Sequence, residues 1–351
     1  MESCEMIDLF QQNLDVDQIR YLDILNVNHR KEMIRDVRYG LNKSRKCLSS
    51  KYLYDSRGSL LFDRITMTAE YYLTRSEISI LDRSVHEIIE FLSGEGGDIV
   101  ELGSGSTTKI KKLLDAAYAN GIGRVRYIPM DICGNCVESV LHELAPLYPG
   151  LELLGLRADF TSQLHVLPQR KKLIVFFGST IGNFAERECT DFLRGIARIM
   201  NPDDRLLIGM DMIKPVRVLE MAYNDSEGMT RDFNLNILLH INRELRANFK
   251  LDDFQHKAFF NAGKQQIEMH LLAKRAVSAW ISDLSMAVTL REGETVRTEV
   301  CRKFSKQRIE RVFSESGFSI EKWFTDPKGW FSLVQVKTKT DGGRLLRLGT
   351  V

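Results

Sequence analysis

The 351-residue sequence has no apolar run of about 18 residues, and its start, MESCEMIDLFQQNLD, lacks a basic flank followed by an apolar core. Neither a membrane span nor a secretory signal is expected, so the protein is assigned to the cytoplasm. Charge of one sign is missing as well. The 49 basic residues against 47 acidic leave a formal net charge of +2, which implies no polyanion and no anionic membrane as partner. Six cysteines are too few for a disulfide framework. Cys133 and Cys136 do form the CxxC of CGNC, but neither a partner pair nor a thioredoxin-like context accompanies them. They are expected to be reduced, structural thiols. The seven histidines (His29, His86, His142, His165, His240, His256, His270) form neither HxH nor HExxH, so no metal is expected.

What remains is the composition of an ordinary soluble chain, 44% apolar and 27% charged, long enough for about two domains. Residues 15–50 read as helical and polar. The stretch 75–93, RSEISILDRSVHEIIEFLS, carries apolar side chains at helical spacing from Ile78 to Leu92 and predicts a helix with a wide buried face. Strands and helices then alternate. Strands are expected at 99–102, 125–130, 151–156, 173–178 and 205–212, with helices at 108–117, 133–145 and 186–200 between them. LIVFFG at 173–178 is apolar throughout, as a central parallel strand should be. This succession argues for an α/β fold, an open Rossmann-like parallel sheet covered by helices.

After Ile213 the pattern changes. A helical stretch from Leu219 to Leu245 precedes strand-like HKAFFNAGKQQIEMHLLAK and TEVCRKF. QRIERVFSESGFSIEKWF and WFSLVQVK then resume helix, strand and strand, an ending that closes many methyltransferase sheets. Residues 214–302 are therefore read as an insertion that packs with residues 1–75 into a second, α+β domain. Residues 76–213 and 303–340 form the sheet domain, and 341–351 a mobile tail.

The stretch DIVELGSGSTTKIKKLLDAA (98–117) runs an apolar strand into two glycines and a helix. Glycines there let a ligand approach the backbone, and ligands of such sheets sit beyond the strands' carboxyl ends. A dinucleotide fingerprint would need a third glycine, and Gly103-Ser-Gly105-Ser-Thr-Thr lacks one. The next suitable acid, Asp131, ends the second strand, where a carboxylate can accept both hydroxyls of a ribose. The third strand ends in Ala158-Asp159-Phe160, an acid for an adenine amino group beside a ring for its face. An adenosine held without a phosphate grip describes S-adenosylmethionine better than NAD.

The chain resembles the histidine-specific N-alpha-methyltransferases of ergothioneine biosynthesis and the amino-acid methyltransferases around them. The resemblance lies in KYLYDSRGSLLFDRIT (51–66), AEYYLTRSEISIL (69–81), VELGSGSTTK (100–109), FFGSTIGNF (176–184), AYNDSEGMTRDFN (222–234), QQIEMHL (265–271), TEVCRKF (298–304) and WFTDPKGWFSL (323–333). These segments run in family order from about residue 35 to 337. The resemblance implies a class I S-adenosylmethionine-dependent methyltransferase sheet, with Tyr71, Gly103, Lys109, Asp131, Asp159 and Phe160 at the donor site. It also implies an amino-acid site of Tyr54, Asn183, Tyr223, Met269 and Glu299, with Asn183 and Tyr223 on the carboxylate, Tyr54 near the amine and Glu299 on the imidazole. Tyr54 and Asn183 stand nearest the chemistry. The sequence departs from the pattern at Cys301, where the histidine-specific enzymes carry a serine for the second ring nitrogen. A thiol bonds more weakly than a hydroxyl, which leaves Glu299 to accept from one ring nitrogen.

Without the resemblance these residues would be read more plainly: Tyr54 and Tyr223 as packing, Met269 as core, Glu299 as a solvated strand face. With it, the expected activity is methyl transfer to the α-amine of a free amino acid, histidine before all others, by a monomer. An aromatic or tryptophan-derived substrate is the alternative, although a buried Glu299 facing an indole would lack a partner. An NAD-dependent oxidoreductase is more remote, and the absence of an NPPY-like motif after the fourth strand argues against a nucleic-acid substrate.

Overall fold

A computed structural model describes residues 19–25, 29–341 and 344–345. In chain order, β1 (Ile19–Asp23) and α1 (His29–Leu41) precede α2 (Ser56–Met67) and α3 (Tyr72–Ile89). The alternating region follows: β2 (Gly97–Leu102), α4 (Thr108–Ala119), β3 (Val125–Asp131), α5 (Gly134–Leu144), β4 (Glu152–Arg157), β5 (Lys172–Phe176), α6 (Glu186–Ile199) and β6 (Arg205–Asp211). Next come α7 (Val216–Met221), α8 (Met229–Leu245) and strands β7 (Phe254–Asn261), β8 (Gln266–Ala273), β9 (Val277–Ile281), β10 (Met286–Leu290) and β11 (Thr295–Arg302). The chain closes with α9 (Lys306–Glu315), β12 (Phe318–Thr325) and β13 (Phe331–Thr338).

Eight strands form the main sheet in the order β1-β4-β3-β2-β5-β6-β13-β12. β2 pairs in parallel with both β3 and β5, and every residue of β2 and β5 is buried, which is why their centres, Ile99-Val100 and Leu173 to Phe176, are apolar. β13 runs antiparallel to β6, as the closing helix, strand, strand pattern requires. The strand order reverses between β2 and β5, and that crevice lies at the end of the Gly103 turn. Gly103 needs its glycine: its φ is +76° and its amide donates to Met130 O at 2.9 Å.

A second sheet, β11-β8-β7, is antiparallel throughout, and the hairpin β9-β10 stands beside it. α8 packs on β7 and β8 and against α2. Asp55 caps α2 by accepting from Gly58 N at 2.8 Å, and Asn236 of α8 donates to the same carboxylate oxygen at 2.7 Å. One acid thus fixes both the start of α2 and its seat on α8.

Three expectations change. Residues 19–23, read as part of a helical segment, form an edge strand in parallel register with β4, from Ile19↔Leu153 to Asp23↔Arg157. Five residues are too few for periodicity to separate strand from helix, and pairing with a distant strand decides. Cys133 and Cys136 form a disulfide rather than free thiols, because the first turn of α5 brings their Cα atoms to 5.3 Å. The β9-β10 hairpin was not anticipated, although β9 alternates buried and exposed residues throughout. The expected tail at 341–351 lies mostly outside the described residues; Thr340–Asp341 pairs with Arg344–Leu345. Among the described residues, no helix is long and apolar enough to cross a membrane.

Candidate active site

The donor-side residues gather at the carboxyl ends of β2, β3 and β4. A Cβ on Gly105 would meet nothing within 4 Å, and one on Gly103 would meet only the Phe160 ring, at 3.7 Å. The two glycines therefore border open space, with the Phe160 ring beside Gly103. Phe160 is backed by Phe176 and Phe192, with ring centroids 5.5 and 6.0 Å away. Asp131 ends β3 and accepts from Cys133 N at 2.8 Å. Burial pushes its carboxyl up to about 6, although the Cys133 and Ile132 amides pull the other way. Asp159 Oδ1 closes a turn by accepting from Thr161 N and Oγ1 at 2.8 and 2.6 Å.

Lys109 reaches a different partner. Its ammonium pairs at 2.9 Å with Glu77 of α3, a fully buried carboxylate that also accepts from Gly178 N at 2.9 Å. The lysine thus ties the helix after the glycine turn to the turn after β5. Gly209 makes room for this acid, since a Cβ there would lie 2.2 Å from Glu77 Oε1.

The turn after β5 is built from Gly178 (φ +73°) and Ser179 (φ +58°), whose Oγ accepts from Asp211 N at 3.0 Å. It continues into a 3-10 turn, Thr180–Asn183, pressed against β11. A Cβ on Gly182 would stand 2.8 Å from Arg302 O and 3.4 Å from Cys301 Sγ, so only glycine allows that approach. Asn183 is thereby delivered to Glu299, donating from Nδ2 to Oε1 at 3.3 Å.

Alternation along β11 puts Glu299 and Cys301 on one face, and Lys303, one residue past its end, continues the buried alternation. A register irregularity between Arg297 and Glu299 re-aims the strand, and Glu299 then stands directly opposite Met269 of β8. Met269 is buried, so the carboxylate has an apolar neighbour. Burial pushes Glu299 up to about 7; the positive charge of Lys303 and the bond from Asn183 oppose the rise.

Aromatic rings complete the enclosure. Tyr54 meets Phe233 and Phe62 edge-on at 5.2 and 5.5 Å, and Tyr71 meets Phe62 and Tyr223 at 6.1 and 6.3 Å. Burial pushes all three phenols well above their ordinary range, and among the other causes the charge of Glu299 acts on each of them. They are neutral hydroxyls at any physiological pH.

The sequence model of the histidine-specific, S-adenosylmethionine-dependent methyltransferases matches residues 33–338. The chain belongs to this family. It is 40% identical over 301 residues to a histidine N-alpha-methyltransferase of Mycolicibacterium smegmatis, covering 85% of this chain and 92% of that protein. A histidine N-alpha-methyltransferase of Mycobacterium tuberculosis is 38% identical over 300 residues, with the same coverage. Ergothioneine biosynthesis protein 1 of Neurospora crassa is 30% identical over 297 residues, which are 79% of this chain and 32% of that longer protein.

As in its family, then, S-adenosylmethionine is the methyl donor of this methyltransferase. The structure brings Tyr54, Tyr71, Asn183, Tyr223, Met269, Glu299 and Cys301 into one enclosure. Gly103, Asp131, Asp159 and Phe160 line the strand ends beside it. Sequence reading missed the charged cluster beneath this methyltransferase site. Lys303 is fully buried, donating to Tyr223 Oη at 2.9 Å and Cys301 Sγ at 3.2 Å, and pairing with Asp211 at 2.7 Å. Asp211 also accepts from Tyr72 Oη at 2.8 Å and pairs with Lys214. The one available signal was the two-residue spacing of Glu299, Cys301 and Lys303. Among the described residues, no three His, Cys, Asp or Glu side chains gather as a metal site.

Proposed function

We propose that the chain methylates the α-amine of free L-histidine, carrying it to the trimethylated betaine, hercynine. The observation that carries this reading is the buried Glu299 carboxylate, braced by Asn183 and standing opposite Met269. An acceptor so enclosed suits a flat ring with an N–H edge and apolar faces, which describes imidazole. Asn183 and Tyr223 offer neutral donors to the substrate carboxylate.

When bound, S-adenosylmethionine supplies an electrophilic sulfonium methyl. The chain's contribution is placement: amine nitrogen and methyl must meet in line at about 3 Å with water excluded. Tyr54 is unsuited to act as a base, because burial keeps its phenol protonated; it orients the amine. The neutral amine, having lost a proton, takes the methyl, and the rings of Tyr54, Phe62, Tyr71 and Phe233 suit the resulting ammonium, which carries one more methyl and one fewer N–H after each transfer. The α8 and β7-β8-β11 layer, with α2 packed on α8, forms the part of the fold that covers the amino acid. The enzyme works as a cytoplasmic monomer.

Incubation with S-adenosylmethionine and each free amino acid in turn, read by mass spectrometry, is expected to give mono-, di- and trimethylated histidine. Product from another amino acid with none from histidine overturns the assignment. Cys301→Ser restores a hydroxyl beside the ring and is expected to lower KM for histidine roughly threefold, since a hydroxyl bonds more strongly than a thiol. An unchanged KM would place the imidazole away from position 301.

A further inference from the structure

The charged cluster under Tyr223 centres on Asp211. Lys303 and Lys214 both pair with Asp211, so two ammoniums share one fully buried carboxylate. Asp326 also acts on Lys214 electrostatically, while its own oxygens accept from Lys328 N, Trp330 N and Phe331 N. Toward the site, Lys303 faces Tyr223, Cys301 and, through space, Glu299. Lys303 is the fully buried cation of this cluster that reaches toward the site, held from behind by Asp211.

The hydrogen bonds give that charge a direction. An ammonium has three N–H groups and accepts nothing. Those of Lys303 go to Asp211, Cys301 Sγ and Tyr223 Oη. Tyr223 therefore accepts from Lys303 and cannot donate back, so its own proton must point away from the lysine. Cys301 Sγ, which also accepts from Lys303, is within hydrogen-bonding reach of that hydroxyl, and the Tyr71 ring stands 6.3 Å from the Tyr223 ring.

We propose that Lys303, anchored by Asp211, is a positioning residue for substrate recognition: it orients the Tyr223 hydroxyl as a donor and supplies the positive potential that selects an α-carboxylate. The inference rests on the reading of this enclosure as an amino-acid site. Lys303 makes no contact with the substrate; Tyr223 transmits its effect. Preference for a carboxylate over a neutral amide at that position is thus set one residue behind the binding surface.

The test compares histidine with histidinamide, in which the carboxylate is a neutral amide, by calorimetry in the presence of S-adenosylhomocysteine. Wild-type protein is expected to prefer histidine. Lys303→Met is expected to weaken histidine binding roughly tenfold or more while changing histidinamide binding less than about twofold. In a histidine titration at saturating S-adenosylmethionine, KM should rise with kcat nearly unchanged. If Lys303→Met does not fold, Lys303→Gln removes the charge but keeps a donor for Tyr223 and Asp211, and the same collapse of preference is expected. Equal weakening of both ligands, or undiminished preference in a folded variant, overturns the proposal. A wild-type protein that binds histidine no better than histidinamide overturns the amino-acid reading itself.

Discussion

Asp131→Ala is expected to raise the dissociation constant for S-adenosylhomocysteine roughly a hundredfold in calorimetry. Two ribose hydroxyls donating to one carboxylate are charge-assisted bonds, together worth about 3 kcal/mol, and about 1.4 kcal/mol is a factor of ten. The side chain is well placed for them. It ends β3 beside the Gly103 turn, with Oδ1 fixed by the Cys133 amide at 2.8 Å. Its carboxyl, raised by burial to about 6, adds a pH signature. Below about 6 the group holds a proton, and a ribose that donates needs the ionised form. Wild-type affinity should therefore fall as pH drops from 7 to 5, with protons released on binding near the midpoint. Asp131→Asn cannot titrate and should bind weakly without that slope. Unchanged affinity in Asp131→Ala, with native circular dichroism, would remove the ribose from this strand end.

The parts of the fold that could be read from sequence are those whose environment is uniform along the chain. β2 and β5 are buried on both faces, so each carries an apolar stretch, Ile99-Val100 and Leu173 to Phe176, flanked by amphipathic helices. β1 has no such mark. IRYLD is short, half-buried and held at the sheet edge by β4. The site divides in the same way. Gly103 and Asp131 follow from position at strand ends, because topology alone brings such ends together. Glu299 and Met269 were accessible only through family resemblance, since they become neighbours by the register of β8 against β11. Lys303 and Asp211 escaped even that, because a lysine near a strand end ordinarily reaches water. Nothing local in TEVCRKF says that this one is sealed beneath Tyr223.

Glu299→Gln is expected to lower kcat/KM for histidine by roughly 30- to 100-fold, since a hydrogen bond to a charged acceptor is worth about 2–3 kcal/mol when its partner is buried. Glutamine keeps the shape but offers a weaker acceptor to the imidazole N–H, and its amide is apt to clash with the donor already coming from Asn183. The decisive readout is the pH profile. Burial holds the Glu299 carboxyl at about 7, so in wild type the charged acceptor forms as pH rises through that value, and kcat/KM should climb with it. Acidification protonates both the carboxylate and the substrate ring, and the pair then lacks its charged acceptor. In Glu299→Gln the substrate's own titrations and that of Asp131 near 6 remain, and the inflection near 7 should vanish. A variant that keeps the wild-type profile would mean that another group titrates there and that the ring does not rest on Glu299.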